Sequence, residues 1–226
     1  MKHAIEFLVR VVLLAIIALV FRWASGASLS TGVDLGVIFG GTLLTFPLVR
    51  VGRTILDRGR GAERAAWITT FVHFALGFTF GVPIFRALAA HRQWPAWLPT
   101  VPPAVSLALV IVTGAASALV VGNLALRGLG APFFIALSRR LATDWLYAWT
   151  RNPMVLAALA FFLALGVWLG SALFVLWVVV PFAPALLFFV KVFEERELEL
   201  RLGAPYLEYR ARTPMLWPRR PRGPGG

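Results

Sequence analysis

The sequence predicts an all-α, polytopic transmembrane helical bundle of about six spans, ending in a helical hairpin and an interfacial segment. Three observations carry this. The 226 residues are 59% hydrophobic and 14% charged, with a mean hydropathy of +0.80. A soluble domain of that size has too little interior to hide so much apolar surface, so lipid must be the solvent for much of the chain. The apolar residues fall in runs of about 20, the length a helix rising about 1.5 Å per residue needs to cross a hydrocarbon core of about 30 Å. The basic residues fall between these runs with a strong bias to one side.

The first run extends from about Ile5 to Phe21. Glu6 and Arg10 interrupt it four residues apart, a spacing that lets them pair on one helix face. Lys2, the apolar run and Ser25-Gly26-Ala27 also resemble a cleavable signal sequence, but the internal charges favour a retained span. The second run is about Val33–Val49, with Asp34 at its edge. The third is Ala65–Ile84, with His73 near its middle, and the fourth is Ala104–Leu126. The Pro- and Trp-rich stretch from Trp94 to Pro103 is expected at headgroup depth, where Trp concentrates and Pro ends helices. Gly36/Gly40 and Gly77/Gly81 have the small-residue spacing that lets membrane helices approach closely.

From Asn152 to Val190 there are 39 residues without a charge. As one helix they would measure about 58 Å, nearly twice the hydrocarbon core. The segment must fold back, with the turn expected near Gly166, Gly170 and Ser171, and with Pro181 and Pro184 kinking the second arm. The resulting division is four spans over 1–126, a hairpin and following segment over 127–218, and a disordered basic tail over 219–226.

With six spans, 18 of the 22 Lys and Arg residues fall on the side of the N-terminus, 3 on the opposite side, and Arg10 lies inside the first span. This positive-inside bias places both termini in the cytoplasm of an integral membrane protein, expected in a bacterial inner membrane. It also gives the net charge of +12 a membrane explanation rather than a nucleic-acid one, since anionic headgroups attract such loops. The absence of cysteine excludes disulfides, thiol nucleophiles and thiolate metal sites. His3, His73 and His91 lie far apart and form no ligand pair at helical spacing.

A hairpin returns its two ends to one face. Arg151, Asn152, Pro153 and Met154 therefore lie near Lys191, Glu194 and Glu195. The cluster is either a set of solvated loop charges or a site. Five of the ten acidic residues fall between Glu194 and Glu208, which a positive-inside rule does not explain. His73 is either a proton carrier or a packed histidine bonded to a neighbouring helix. Asn123 either lines the site or bonds between helices.

These residues carry a resemblance. RNPM at 151–154, a hydrophobic hairpin, and EERELELRLGAPYLEYRARTPMLWP at 194–218 are similar to the C-terminal part of the isoprenylcysteine carboxyl methyltransferase and phospholipid methyltransferase superfamily. Its members read Arg-(His or Asn)-Pro, a hairpin, Glu-Glu-x-x-Leu, then Gly-x-x-Tyr-x-x-Tyr and a terminal Pro-containing stretch. Asn152 stands where many members have His, and Val155 and Ala157 replace a usual Tyr and Gly. Trp145-Leu146-Tyr147 keeps only the Tyr of an upstream Gly-Pro-Tyr. The resemblance implies an S-adenosylmethionine-dependent integral membrane methyltransferase acting on a lipid or lipophilic acceptor, with no nucleic-acid partner. It implies Arg151 and Glu195 as catalytic residues and Asn152, Pro153, Met154, Glu194 and Glu195 as cofactor contacts. Glu195 would bind the cofactor's ammonium, and Arg151 or Asn152 its carboxylate. Tyr206, Tyr209, Arg210 and Arg212 would contact the substrate, or else form an interfacial segment held by aromatic anchors. Glu199, one turn beyond Glu195, is expected to face solvent. A catalytically silent relative that binds lipid or scaffolds partners is the alternative.

Overall fold

The computed structural model describes residues 2–59, 61–94, 101–126 and 141–220. Among them every regular element is a helix. Five helices are long and apolar enough to cross a membrane: α1 (Lys2–Gly26), α2 (Thr31–Asp57), α3 (Ala62–Gln93), α4 (Pro103–Leu126) and α7 (Ala172–Leu202). The short α5 (Leu146–Trp149) precedes α6 (Pro153–Trp168), an apolar helix of 16 residues, about 24 Å long. The last element is α8 (Ala204–Arg212). The expected six spans are thus five full-length helices and one shorter hairpin arm.

The helices run past the apolar limits read from sequence, because backbone hydrogen bonding continues where side chains become polar. The clearest case is α7, expected to end near Val190, which carries Glu194, Glu195, Glu197 and Glu199 on the same helix. The hairpin turn is narrower than expected. Gly170 adopts φ +61°, a conformation that costs glycine little. Ser171 caps α7 by accepting the Phe174 amide at 3.2 Å. Gly166 is not in the turn: it lies within α6, where a Cβ would meet Val175 at 2.7 Å and Phe174 at 3.1 Å. It lets the two arms approach.

The expected proline kink takes the form of a wide, π-type turn over Val178–Phe182 around Pro181, and α7 runs on through it. A second wide turn, Val190–Glu194, joins the apolar part of α7 to its acidic end. Such turns insert one residue into the helical repeat and occur mostly at functional positions.

Half of α7's apolar window is buried, against 11% for α4, so α7 is the central helix and α4 the peripheral one. Around α7 the core joins Ile38, Val49 and Leu56 of α2, Leu76 and Phe80 of α3, and Phe174, Trp177, Phe182 and Phe193 of α7. Trp177 is fully buried and donates its indole N–H to Thr42 Oγ1 at 2.8 Å. The outer face of α4, with Leu107, Leu109, Ile111, Val112 and Leu119, is exposed and suits lipid.

Only one of the two glycine pairs is a packing device. A Cβ at Gly77 would meet Ile17 at 2.8 Å, and one at Gly81 would collide with Phe21, both on α1. Gly36 and Gly40 have open space around them. Gly81→Val is expected to destabilise the protein by about 1–3 kcal/mol, the usual cost of overpacking. Gly40→Val should leave the thermal unfolding midpoint in detergent nearly unchanged. Equal midpoints for the two variants would remove the α1–α3 packing argument.

Asp34 and Arg86, read from sequence as edge and loop charges, form a buried pair. Their side chains are 0% and 2% exposed, with Arg86 Nε 2.7 Å and Nη2 2.5 Å from Asp34 Oδ1. Arg86 Nη1 donates to the carbonyls of Ala24 and Ala27 at 2.7 and 2.6 Å, tying the end of α1 to α2 and α3. At the other end of the bundle, Arg53 donates to the Val192 carbonyl at 2.8 Å, and Arg196 pairs with Asp57 at 2.8 Å. The Glu6–Arg10 pairing, the segment 95–100, Arg60, Arg127, Arg139, Arg140 and residues 221–226 of the basic tail lie outside the described residues or side chains.

Candidate functional site

The wide turn at Val190–Glu194 delivers two consecutive glutamates to different surroundings. Glu195 is buried and faces Arg151, with which it forms a short ion pair; Lys191 approaches its other oxygen at 3.4 Å. The two side chains of the Arg151–Glu195 pair are 9% and 7% exposed. Arg151 also donates to the carbonyls of Arg210 and Thr213 at 2.9 and 2.6 Å, and its backbone amide donates to the Pro214 carbonyl at 2.9 Å. Asn152 Nδ2 and Thr150 Oγ1 both donate to the Met215 carbonyl, at 3.1 and 3.0 Å. Arg219 N reaches the Trp149 carbonyl at 3.0 Å. The residues that open α6 therefore strap the C-terminal segment across the end of the hairpin, largely through its main-chain carbonyls.

Beneath this strap lies a small cavity of about 100 Å³. It is lined by Tyr147, Arg151, Asn152, Met154, Val190, Glu194, Glu195, Tyr206 and Tyr209, with Leu124, Leu141 and Ala142 at its edge. Leu141 borders residues 127–140, which lie outside those described. Tyr206 and Tyr209 are 2% and 5% exposed, and Tyr209 donates its hydroxyl to the Tyr147 carbonyl at 2.7 Å. Burial, and then the Glu194 carboxylate, push the Tyr147 phenol up to about 12. Burial also raises Tyr206 and Tyr209 well above the usual phenol range. All three remain neutral hydroxyls at physiological pH.

A second cavity, of about 330 Å³ and almost wholly apolar, abuts the first. Its walls come from α3 (His73, Leu76, Phe80, Ile84), α4 (Ser117, Val121), α6 (Met154, Val155, Ala158, Phe161, Phe162) and α7 (Phe182, Leu186, Phe189, Val190, Glu194). Met154, Val190 and Glu194 line both cavities. Packing of α4 is mainly with α6 rather than α3, which leaves the apolar cavity a flank toward lipid. Glu194 accepts no hydrogen bond and forms no ion pair among the described residues, so its carboxylate is free to meet a ligand in either space.

Arg151, Asn152 and Met154 thus share one cavity with Glu194 and Glu195, the juxtaposition a hairpin predicts, and Tyr206 and Tyr209 line it too. Three other candidate residues stand elsewhere. Pro153 occupies the first turn of α6 and faces a separate shallow groove. Arg210 is ion-paired with Glu199. Arg212 is exposed and, among the described residues, bonds to the Glu208 carbonyl of its own helix at 3.4 Å. Glu199 is not solvated as expected: it bridges Arg196 and Arg210 with 18% of its side chain exposed. The Asn123 amide nitrogen has no partner among the described residues, and Asn123 lines neither cavity. His73 bonds within its own helix, not across to another.

Sequence reasoning missed Leu202 and gave no site role to Leu198, the Leu of the Glu-Glu-x-x-Leu motif, though both line the polar cavity; it also gave Tyr147 no role, although it is the one residue of the upstream motif that survives. A family model described as phospholipid methyltransferase matches residues 103–203, from the start of α4 to the end of α7. No curated protein and no solved structure matches the chain.

Proposed function

We propose that this integral membrane protein, whose residues 103–203 match a phospholipid methyltransferase family model, transfers a methyl group from S-adenosylmethionine to a lipophilic acceptor. The cofactor would occupy the polar cavity and the acceptor the apolar one. The observation that carries this reading is the shared wall: Met154, Val190 and Glu194 line both spaces, so reactants held in each would meet there. When bound, the cofactor supplies an electrophilic sulfonium methyl, and positioning two reactants against each other can supply much of the catalysis.

The residues fit a cationic, amino-acid-bearing cofactor. The unpartnered Glu194 carboxylate suits an ammonium, and Asn152 keeps its amide oxygen free after donating to Met215. Arg151 and Glu195 are engaged with each other, so their part is to position α6, α7 and the C-terminal strap rather than to hold the cofactor's charged ends. The polar cavity, of about 100 Å³, is smaller than the cofactor, so binding requires it to widen. The basic bias of the surrounding loops supports a cytoplasmic placement of this end, with the acceptor entering from the bilayer between α3 and α4.

Isothermal titration with S-adenosylhomocysteine tests the reading. Wild type should bind. Glu194→Gln should bind about ten- to a hundredfold more weakly, because a charge-assisted hydrogen bond contributes about 1.5–3 kcal/mol. Glu199→Gln, which breaks two ion pairs outside the cavity, should match wild type in affinity. Failure of wild type to bind would end the methyl-transfer reading, and equal binding by Glu194→Gln would exonerate that carboxylate.

A further inference from the structure

The family match begins at α4, yet a quarter of the apolar cavity's wall comes from α3, and one α3 residue there is polar. His73 Nδ1 lies 2.8 Å from the Thr69 carbonyl oxygen. A carbonyl can only accept, so Nδ1 carries the hydrogen and the neutral ring presents a lone pair at Nε2. No partner meets Nε2 among the described residues, and it is not sealed from the cavity that the ring lines. The ring stands edge-on to Phe189, with centroids 5.3 Å apart, which fixes its orientation. The other two polar groups of the wall are of the same kind. Ser117 spends its hydroxyl hydrogen on the Thr113 carbonyl at 2.9 Å, and Glu194 offers carboxylate oxygens. Among the described residues, each polar side chain lining this apolar space offers an acceptor atom, and no lysine or arginine lines it.

We propose that His73 Nε2 selects the methyl acceptor by taking a hydrogen bond from its head atom, so that the cavity admits amphiphiles bearing N–H, O–H or S–H and rejects carboxylates. The inference rests on the methyl-transfer reading for its purpose but not for its test. A site built to hydrogen-bond a ligand group discriminates strongly against an analogue lacking it, because its own buried group is then left unpaired. An anion would meet these acceptor atoms with no lysine or arginine in the cavity wall to offset its desolvation. A packing role alone predicts that Phe would serve as well as His, since the ring packs edge-on to Phe189 in a mostly apolar wall.

The experiment uses the full chain in phosphatidylcholine nanodiscs and three probes: dodecylamine, dodecyltrimethylammonium and dodecanoate. The quaternary ammonium keeps the charge that Glu194 attracts but has no N–H. Titration calorimetry should show dodecylamine binding about tenfold or more tighter than dodecyltrimethylammonium, and dodecanoate weakest, by the worth of one hydrogen bond to a buried partner. His73→Phe should abolish the preference for the amine over its quaternary analogue. His73→Gln, whose amide oxygen can accept, should retain part of it. The chain has only 3 histidines, so ring-nitrogen-15 spectra resolve them directly. The His73 Nε2 resonance should move with dodecylamine and stay in place with the quaternary probe. An unchanged preference in a folded His73→Phe protein, or a stationary Nε2 resonance at saturating dodecylamine, overturns the proposal. S-adenosylhomocysteine titrated into the same samples reports separately on methyl transfer, so a chain that selects amines without binding that nucleoside would sink the enzyme reading alone.

Discussion

Glu195→Gln is expected to be among the most damaging single substitutions at the strapped end of the hairpin, through stability rather than through a lost cofactor contact. Removing the charge of Glu195 leaves Arg151 buried opposite a neutral amide, and breaking one side of a buried pair typically costs about 3–5 kcal/mol. Arg151 also holds the carbonyls of Arg210 and Thr213, so the loss should appear first in the strap over 204–220. Limited proteolysis should cut beyond Leu202 sooner than in wild type, before the bundle unfolds. A paired apolar replacement, Arg151→Met with Glu195→Leu, should recover much of the loss, because neither charge is then stranded. Thermal midpoints of Arg151→Met, Glu195→Leu and the double variant form a cycle. Additive losses would show that the pair is not coupled and that the strap is held by other contacts.

Arg86→Met is expected to produce a loss of similar size at the opposite end. It strands Asp34, 0% exposed, and releases the carbonyls of Ala24 and Ala27. The cost should again be about 3–5 kcal/mol, with Asp34→Leu/Arg86→Met recovering most of it. Asp34 and Asp57 lie at the two ends of α2, about 35 Å apart along a helix. The affinity of surviving folded protein for S-adenosylhomocysteine should therefore match wild type. A large change in that affinity would mean that the two ends are coupled through the bundle.

The bundle was legible because lipid imposes a length on apolar runs and because the uncharged stretch from Asn152 to Val190 can span only by folding back. The convergence of Arg151, Asn152 and Met154 with Glu194 and Glu195 followed from that geometry. The partners of the charges were not legible. Asp34 and Arg86 are 52 residues apart, and neither has a local signal separating a buried pair from two interfacial charges. Glu194 and Glu195 are identical to any composition argument, and backbone winding at Val190–Glu194 decides which meets Arg151. The strap is held through carbonyls of Arg210, Thr213, Pro214 and Met215, groups every residue possesses, so no side-chain pattern announces it. Glu199 was misread for a related reason: its burial depends on Arg210, which α8 folds back to it after Gly203 adopts φ +61°.

The wide turn at Val190–Glu194 also makes α7 two instruments tuned separately. A regular helix locks all its residues to one rotation of about 100° each, so an acidic end aimed at Arg151 would dictate where Trp177 and Phe182 point, and lipid-side packing would dictate the aim of Glu195. A turn that absorbs one extra residue breaks that lock. Losing a single residue inside it can restore α-helical winding while Trp177 stays in the core and Glu195 stays on Arg151. Losing one from the regular stretch at Ala185–Phe189 has no such slack and must misalign one set or the other. Length variation in this helix should therefore be tolerated beside the site and punished in the featureless apolar stretch preceding it, the reverse of the usual rule that sequence is freest far from the chemistry.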